Sequence, residues 1–152
     1  YISLVNKNIL ILNGPNLNLL GEREQSQYGS LTLKEIETKC IKKCEELNLN
    51  LEFKQSNIEG EIVEIIQNSR NSKNGLIINA AGFTHTSVSI RDAVSIIKFP
   101  VIEVHISNIY KREEFRRKSL LSDVVSGGIF GLGFEGYTLA IKSIYEMIKN
   151  GN

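Results

Sequence analysis

Apolar residues recur along this chain in short runs and helical stripes that alternate almost from end to end. Ile9 to Leu12 is an apolar run too short for a buried helix, so it is read as a strand buried on both faces. Thr32-Leu33-Lys34-Glu35 then has capping-box spacing, and Leu33, Ile36, Cys40, Cys44 and Leu47 trace one face of a helix running to about Leu47. Asn50 to Gln55 reads as a second strand, Gly60 to Ser69 as a helix and Leu76 to Asn79 as a third strand. Ser87 to Ile97 follows as a helix with Val88, Val94 and Ile97 among its apolar positions. Pro100 introduces a fourth strand, Val101 to Ser107, and a short polar helix includes Arg112 to Arg117. Gly127 to Gly133 is a glycine-rich fifth strand or loop, and Tyr137, Ala140, Ile141, Ile144 and Ile148 sit at helical spacing in a last helix. This alternation predicts an α/β fold: a parallel sheet with helices on both faces.

For five such units in 152 residues, the expectation is one catalytic domain over residues 1–152 with a flavodoxin-like sheet of strand order 2-1-3-4-5. That order gives the polar anomalies an address. They follow strand 1 (Asn13 to Tyr28), strand 3 (Asn79 to His85) and strand 4 (Glu103 to Arg116), while the segments after strands 2 and 5 look chemically bland. Strands 1, 3 and 4 would be neighbours, so their carboxyl ends should gather one pocket near the switch between strands 1 and 3.

Composition narrows the partners. A net charge of +1, with no basic stripe interleaved with aromatics, argues against nucleic acid. The apolar runs are far shorter than the roughly 18 residues that would span a membrane, so a cytoplasmic location is the default expectation. A chain that begins at Tyr1 rather than Met is expected to be trimmed. Cys40 and Cys44 belong to the apolar face of their helix and are read as core, with no ligand pair or redox spacing around them.

The chemistry-bearing residues fall in three clusters. Asn13, Asn16, Asn18, Arg23 and Tyr28 crowd the loop after strand 1; the amides suit an oxygen-rich ligand, and an arginine beside the Tyr28 phenol would favour the phenolate. A solvated Gly/Asn turn is the bland alternative. In Val101 to Ser107 the alternation puts Glu103, His105 and Ser107 on one face of a strand that should be buried on both. A Glu bonded to a His fixes the imidazole tautomer and favours the protonated ring, which suits a general acid; a self-satisfied buried pair is the alternative. Asn79-Ala80-Ala81-Gly82-Phe83-Thr84-His85 has small residues that leave room for a ligand, with Thr86 or Ser87 capping the next helix. Arg112 and Arg116, four apart, would share a helical face, and one inward arginine would suffice to grip substrate oxygens. No phosphate loop, dinucleotide fingerprint, nucleophile elbow or metal-ligand set occurs, and the strand 1 and strand 3 loops contain no lysine for an imine. Acid-base chemistry without metal or cofactor is what remains.

Taken together, Asn13-Gly14-Pro15-Asn16-Leu17-Asn18-Leu19-Leu20-Gly21, Arg23-Glu24, Tyr28-Gly29, Asn79-Ala80-Ala81-Gly82, His85 and Asp92 closely resemble type II 3-dehydroquinate dehydratases of the shikimate pathway. Glu103-Val104-His105-Ile106-Ser107-Asn108, Arg112-Glu113-Glu114-Phe115-Arg116, Gly131-Leu132-Gly133 and Gly136-Tyr137 continue the match in order. Where the family commonly has a proline after the glutamate, this chain has Gln25-Ser26-Gln27, which bears on loop stiffness. The resemblance implies anti elimination of water from 3-dehydroquinate through an enolate. Tyr28 would be the base, helped by Arg23; Asn16 would hold a water against the enolate oxygen; His105, oriented by Glu103, would protonate the departing hydroxyl. The amides of Ile106 and Ser107 would take the substrate carboxylate, with Asn79, His85 and Arg116 on its hydroxyls and Arg112 nearby. Asp92 would reach a neighbouring subunit's site in a trimer, and trimers would build a dodecamer. A flavodoxin-like binder with the pocket but no turnover is the competing reading.

Overall fold

The computed structural model describes residues 7–150, so the expectation about Tyr1 lies outside the described residues. Five parallel strands, β1 (Lys7–Asn13), β2 (Leu49–Gln55), β3 (Gly75–Asn79), β4 (Val101–His105) and β5 (Gly127–Phe130), form one sheet in the order β2-β1-β3-β4-β5. The helices are a single turn α1 (Gln25–Tyr28), then α2 (Leu33–Glu46), α3 (Glu59–Ser69), α4 (Val88–Ser95) and α5 (Glu135–Lys149).

Alternation along the strands divides the core. Ile9, Ile11, Ile77, Ile102 and Val104 pack against Ile36, Cys40 and Cys44 of α2 and Tyr137, Ala140, Ile141 and Ile144 of α5. Leu10, Leu12, Leu76, Ile78 and Val101 face the other way, onto Ile62 and Ile66 of α3 and Ile90, Ala93 and Val94 of α4. Each fully buried Ile or Leu stabilises the fold by about 1.5–3 kcal/mol, so the sheet is a rigid base for the loops at its edge. Thr32 caps α2 by accepting from the Glu35 amide at 3.2 Å, and Ser87, not Thr86, caps α4 by accepting from Ile90. Burial pushes both thiols up to about 12, as core cysteines should behave.

Two local expectations are corrected. The fourth strand stops at His105 rather than Ser107, because its partner β5 ends opposite it at Phe130 and turns away through Gly131, at φ 81°. Ile106 and Ser107 therefore leave the ladder and face the sheet's carboxyl edge. Arg112 and Arg116 do not share a helical face either: Arg112 is extended, and only Glu114–Arg117 forms a 3-10 turn.

Candidate active site

The loops that follow β1, β3 and β4 line one small cavity, partly open to solvent. Leu17, Arg23 and Tyr28 come from the first loop, and Asn79, Ala81 and His85 from the second. His105, Ile106, Ser107, Arg112 and Arg116 come from the third. A larger cavity shares Tyr28, Ile106 and Ser107 but contains neither histidine nor Arg23, Arg112 or Arg116, so the chemistry belongs to the smaller one. Three residues given roles from the sequence stand outside its lining: Glu103, buried behind His105, and Asn16 and Asp92. Asn16 is exposed, in a left-handed conformation at φ 70°, with its amide donating to Asn57 Oδ1. Asp92 is exposed on α4 and does not line the cavity of its own chain.

Two guanidiniums converge on the Tyr28 phenol. Arg23 Nη2 donates to its oxygen at 3.3 Å with Cζ 4.4 Å from the ring centroid, and Arg112 Nη1 donates at 2.7 Å. Arg112 is thus the nearer cation, although the sequence pointed to Arg23. Its Nη1 also reaches Ser107 Oγ at 3.3 Å. Its Nε is buried without a hydrogen-bond partner among the described residues, the nearest carboxylate oxygen, on Glu113, being 3.9 Å away. Arg116 is held from behind by Glu113 at 3.0 Å.

The two imidazoles lie stacked, with ring centroids 6.4 Å apart. His105 Nε2 donates to Glu103 Oε2 at 2.5 Å, so Nδ1 is the nitrogen left for a ligand. Burial pushes the Glu103 carboxyl upward, but the bonds from His105, Ser119 and Ser122 outweigh it and hold the group below the ordinary glutamate range. His85 Nδ1 donates to the Lys118 carbonyl at 2.8 Å. Burial lowers the His85 pKa, with the Lys118 carbonyl opposing, so a neutral ring presents its Nε2 lone pair as an acceptor.

Beneath the cavity runs a chain of hydrogen bonds that the sequence did not reveal. Register sets Asn13 level with Gln55 on one side and Asn79 on the other. The fully buried Tyr137 hydroxyl donates to Asn13 Oδ1 at 2.6 Å and accepts from Asn79 Nδ2 at 2.9 Å. Asn79 Oδ1 accepts from the amide of Ala81, a non-glycine residue held at φ 51°. Gly14 donates to the Asn79 carbonyl at 2.7 Å, and a Cβ there would stand 2.4 Å from the Ala80 carbonyl oxygen, so only glycine lets these loops meet. The last residue of β2 joins this chain, Gln55 Nε2 donating to the Gly14 carbonyl at 3.1 Å. The one available signal was Tyr137 itself, since a tyrosine amid apolar helix positions must find a partner for its hydroxyl.

The family model for dehydroquinase class II matches residues 7–145. A protein of Prochlorococcus marinus (strain NATL1A) named 3-dehydroquinate dehydratase is 50% identical over 141 residues, covering 93% of this chain and 97% of the relative. One of the same name from Endomicrobium trichonymphae is 53% identical over 142 residues, covering 93% and 99%. The crystal structure of type II dehydroquinase from Propionibacterium acnes superposes with a TM-score of 0.90 at 40% identity, covering 93% of this chain and 97% of that one.

Proposed function

This chain belongs to the class II dehydroquinase family, and from that premise we propose that it removes water from 3-dehydroquinate, giving 3-dehydroshikimate, by cofactor-free acid-base catalysis. One observation carries the mechanism: the Tyr28 phenol with two arginines, and the His105 imidazole backed by a carboxylate, line one small cavity from different loops. In the proposed reaction the Tyr28 phenolate takes the C2 proton, leaving an enolate and a phenol. Electrons then return from the enolate, the C1–O bond breaks anti to the lost proton, and His105 Nδ1–H passes its proton to the leaving hydroxyl, which departs as water. Bulk proton exchange restores both groups. Arg23 and Arg112 set positive charge against the phenol oxygen, fixed in place before the reaction begins.

The same reading assigns the substrate carboxylate to the Ile106 and Ser107 amides and the hydroxyls to Asn79, His85 and Arg116. The neutral His85 ring, with Nε2 as an acceptor, fits a hydroxylated ligand. Asn16, outside the cavity lining, would act through a bridging water. Chain length supplies one catalytic domain and the short apolar runs a cytoplasmic location, while resemblance alone supplies trimers in a dodecamer that bring Asp92 to a neighbour's site.

The test is an absorbance assay with 3-dehydroquinate, whose dehydration creates a conjugated product absorbing in the near ultraviolet. Tyr28→Phe and His105→Ala should each lower kcat at least ~100-fold in a folded protein. Near-normal turnover by Tyr28→Phe would remove it as the base, and binding of 3-dehydroquinate by wild type without product would favour a pure binder.

A further inference from the structure

Residues 118–122 lie behind both imidazoles. The Lys118 carbonyl holds His85, while Ser119 Oγ donates to Glu103 Oε2 at 2.8 Å and Ser122 Oγ to Oε1 at 2.9 Å. We propose that Ser119 and Ser122 are positioning residues for the proton donor, holding the Glu103 carboxylate charged and correctly turned so that His105 is fixed for transfer. The inference rests on the reading of His105 as general acid.

The hydroxyl geometry is constrained rather than incidental. Ser119 Oγ accepts from the amides of Leu121 at 3.0 Å and Ser122 at 3.2 Å, which leaves its own proton for the carboxylate. The segment itself is anchored: the Leu120 amide donates to the Thr84 carbonyl, the Leu120 carbonyl accepts from Arg91, and Leu121 is fully buried. Arg91 is in turn paired with Asp123. On the sheet, Glu103 is flanked by Ile78 of β3 and Gly128 of β5, neither of which is ionisable. The ionisable groups that share the cavity with His105 are His85, Tyr28, Arg23, Arg112 and Arg116.

A buried carboxylate keeps its charge only when donors compensate for lost water. Here one oxygen accepts from the imidazole and a serine, and the other from a second serine. Without the serines Glu103 should take a proton at a higher pH, and once neutral it no longer stabilises an imidazolium. Activity should therefore be lost first on the acid side.

The experiment compares wild type, the Ser119→Ala/Ser122→Ala double variant and Ser119→Thr/Ser122→Thr, which keeps both hydroxyls. Steady-state kinetics across pH should show kcat of the alanine variant down about tenfold, KM within about twofold, and the acid limb moved to higher pH. The threonine variant should recover most of the loss. The sequence contains only two histidines, so ¹⁵N-histidine spectra report both. The His105 ring signals should change in the alanine variant while those of His85 stay. An unmoved acid limb, or an equal loss at every pH with both histidines displaced, would overturn the proposal, because the serines would then only shape the loop. If the double variant fails to fold, Ser122→Ala alone decides, since it leaves Ser119 and its amide bonds in place. A wild-type protein inactive on 3-dehydroquinate would defeat the reading of function, and the spectra would still decide this inference.

Discussion

Deleting one oxygen, in Tyr137→Phe, should weaken both the fold and the substrate site. The ring stays in its fully buried slot, so little packing is lost. What changes is the polar chain: Asn13 Oδ1 loses its donor at 2.6 Å and Asn79 Nδ2 its acceptor at 2.9 Å. A buried polar group left unpaired costs about 1–3 kcal/mol, and two such groups are exposed to that loss. Part is recovered because the variant has no hydroxyl to desolvate, which leaves a net cost of about 2–4 kcal/mol. For a chain of this size that lowers Tm by roughly 5–15 °C. Function should follow through Asn79, whose amide is turned by Tyr137 and by the Ala81 N–H. Once free to rotate, it no longer offers a single orientation to a substrate hydroxyl, so KM should rise more than kcat falls. Thermal melts and Michaelis kinetics on the same preparation provide the assay. A variant that melts within about 1 °C of wild type with unchanged KM would refute the claim that this chain of bonds orders the pocket.

Gly14→Ala should cost about 1–3 kcal/mol and lower turnover more than tenfold, because the new methyl meets the Ala80 backbone rather than a movable side chain; equal stability and activity would contradict the close approach. Arg112→Ala should reduce kcat at least as much as Arg23→Ala, given its shorter bond to the phenol, while Arg116→Ala should mainly raise KM; the kinetic constants of the three variants check this ordering. Glu103 has a folded pKa below the ordinary 4.5, so its contribution to stability is complete above about pH 4.5 and is lost as pH falls through the folded value; acid-unfolding curves of wild type and Glu103→Gln should converge only in that acidic window. Mixing dissociated Asp92→Ala and Tyr28→Phe proteins should restore activity above the mean of the parents if Asp92 serves a neighbour's site, whereas confirmed mixed oligomers without recovery would keep it in its own chain.

The sequence alone was enough for the architecture. Short apolar runs separated by helical stripes have one economical solution, two helical layers over a parallel sheet, and the order 2-1-3-4-5 is observed. It also named Arg23, Tyr28, Asn79, His85, His105, Ser107, Arg112 and Arg116, which do line one cavity, because polar residues at the ends of buried strands have no core role to fill. Tertiary structure alone decided how those groups are held. The pairing of Tyr28 with Arg112 spans 84 positions, and that of Tyr137 with Asn13 spans 124. Ser119 and Ser122 read as ordinary loop serines until Glu103 is brought beneath them. Periodicity records which face of an element is apolar, a local property of a few residues. Which hydroxyl meets which carboxylate depends on register, on where β5 stops and on how closely Gly14 passes Ala80, and those contacts form only when distant segments pack together.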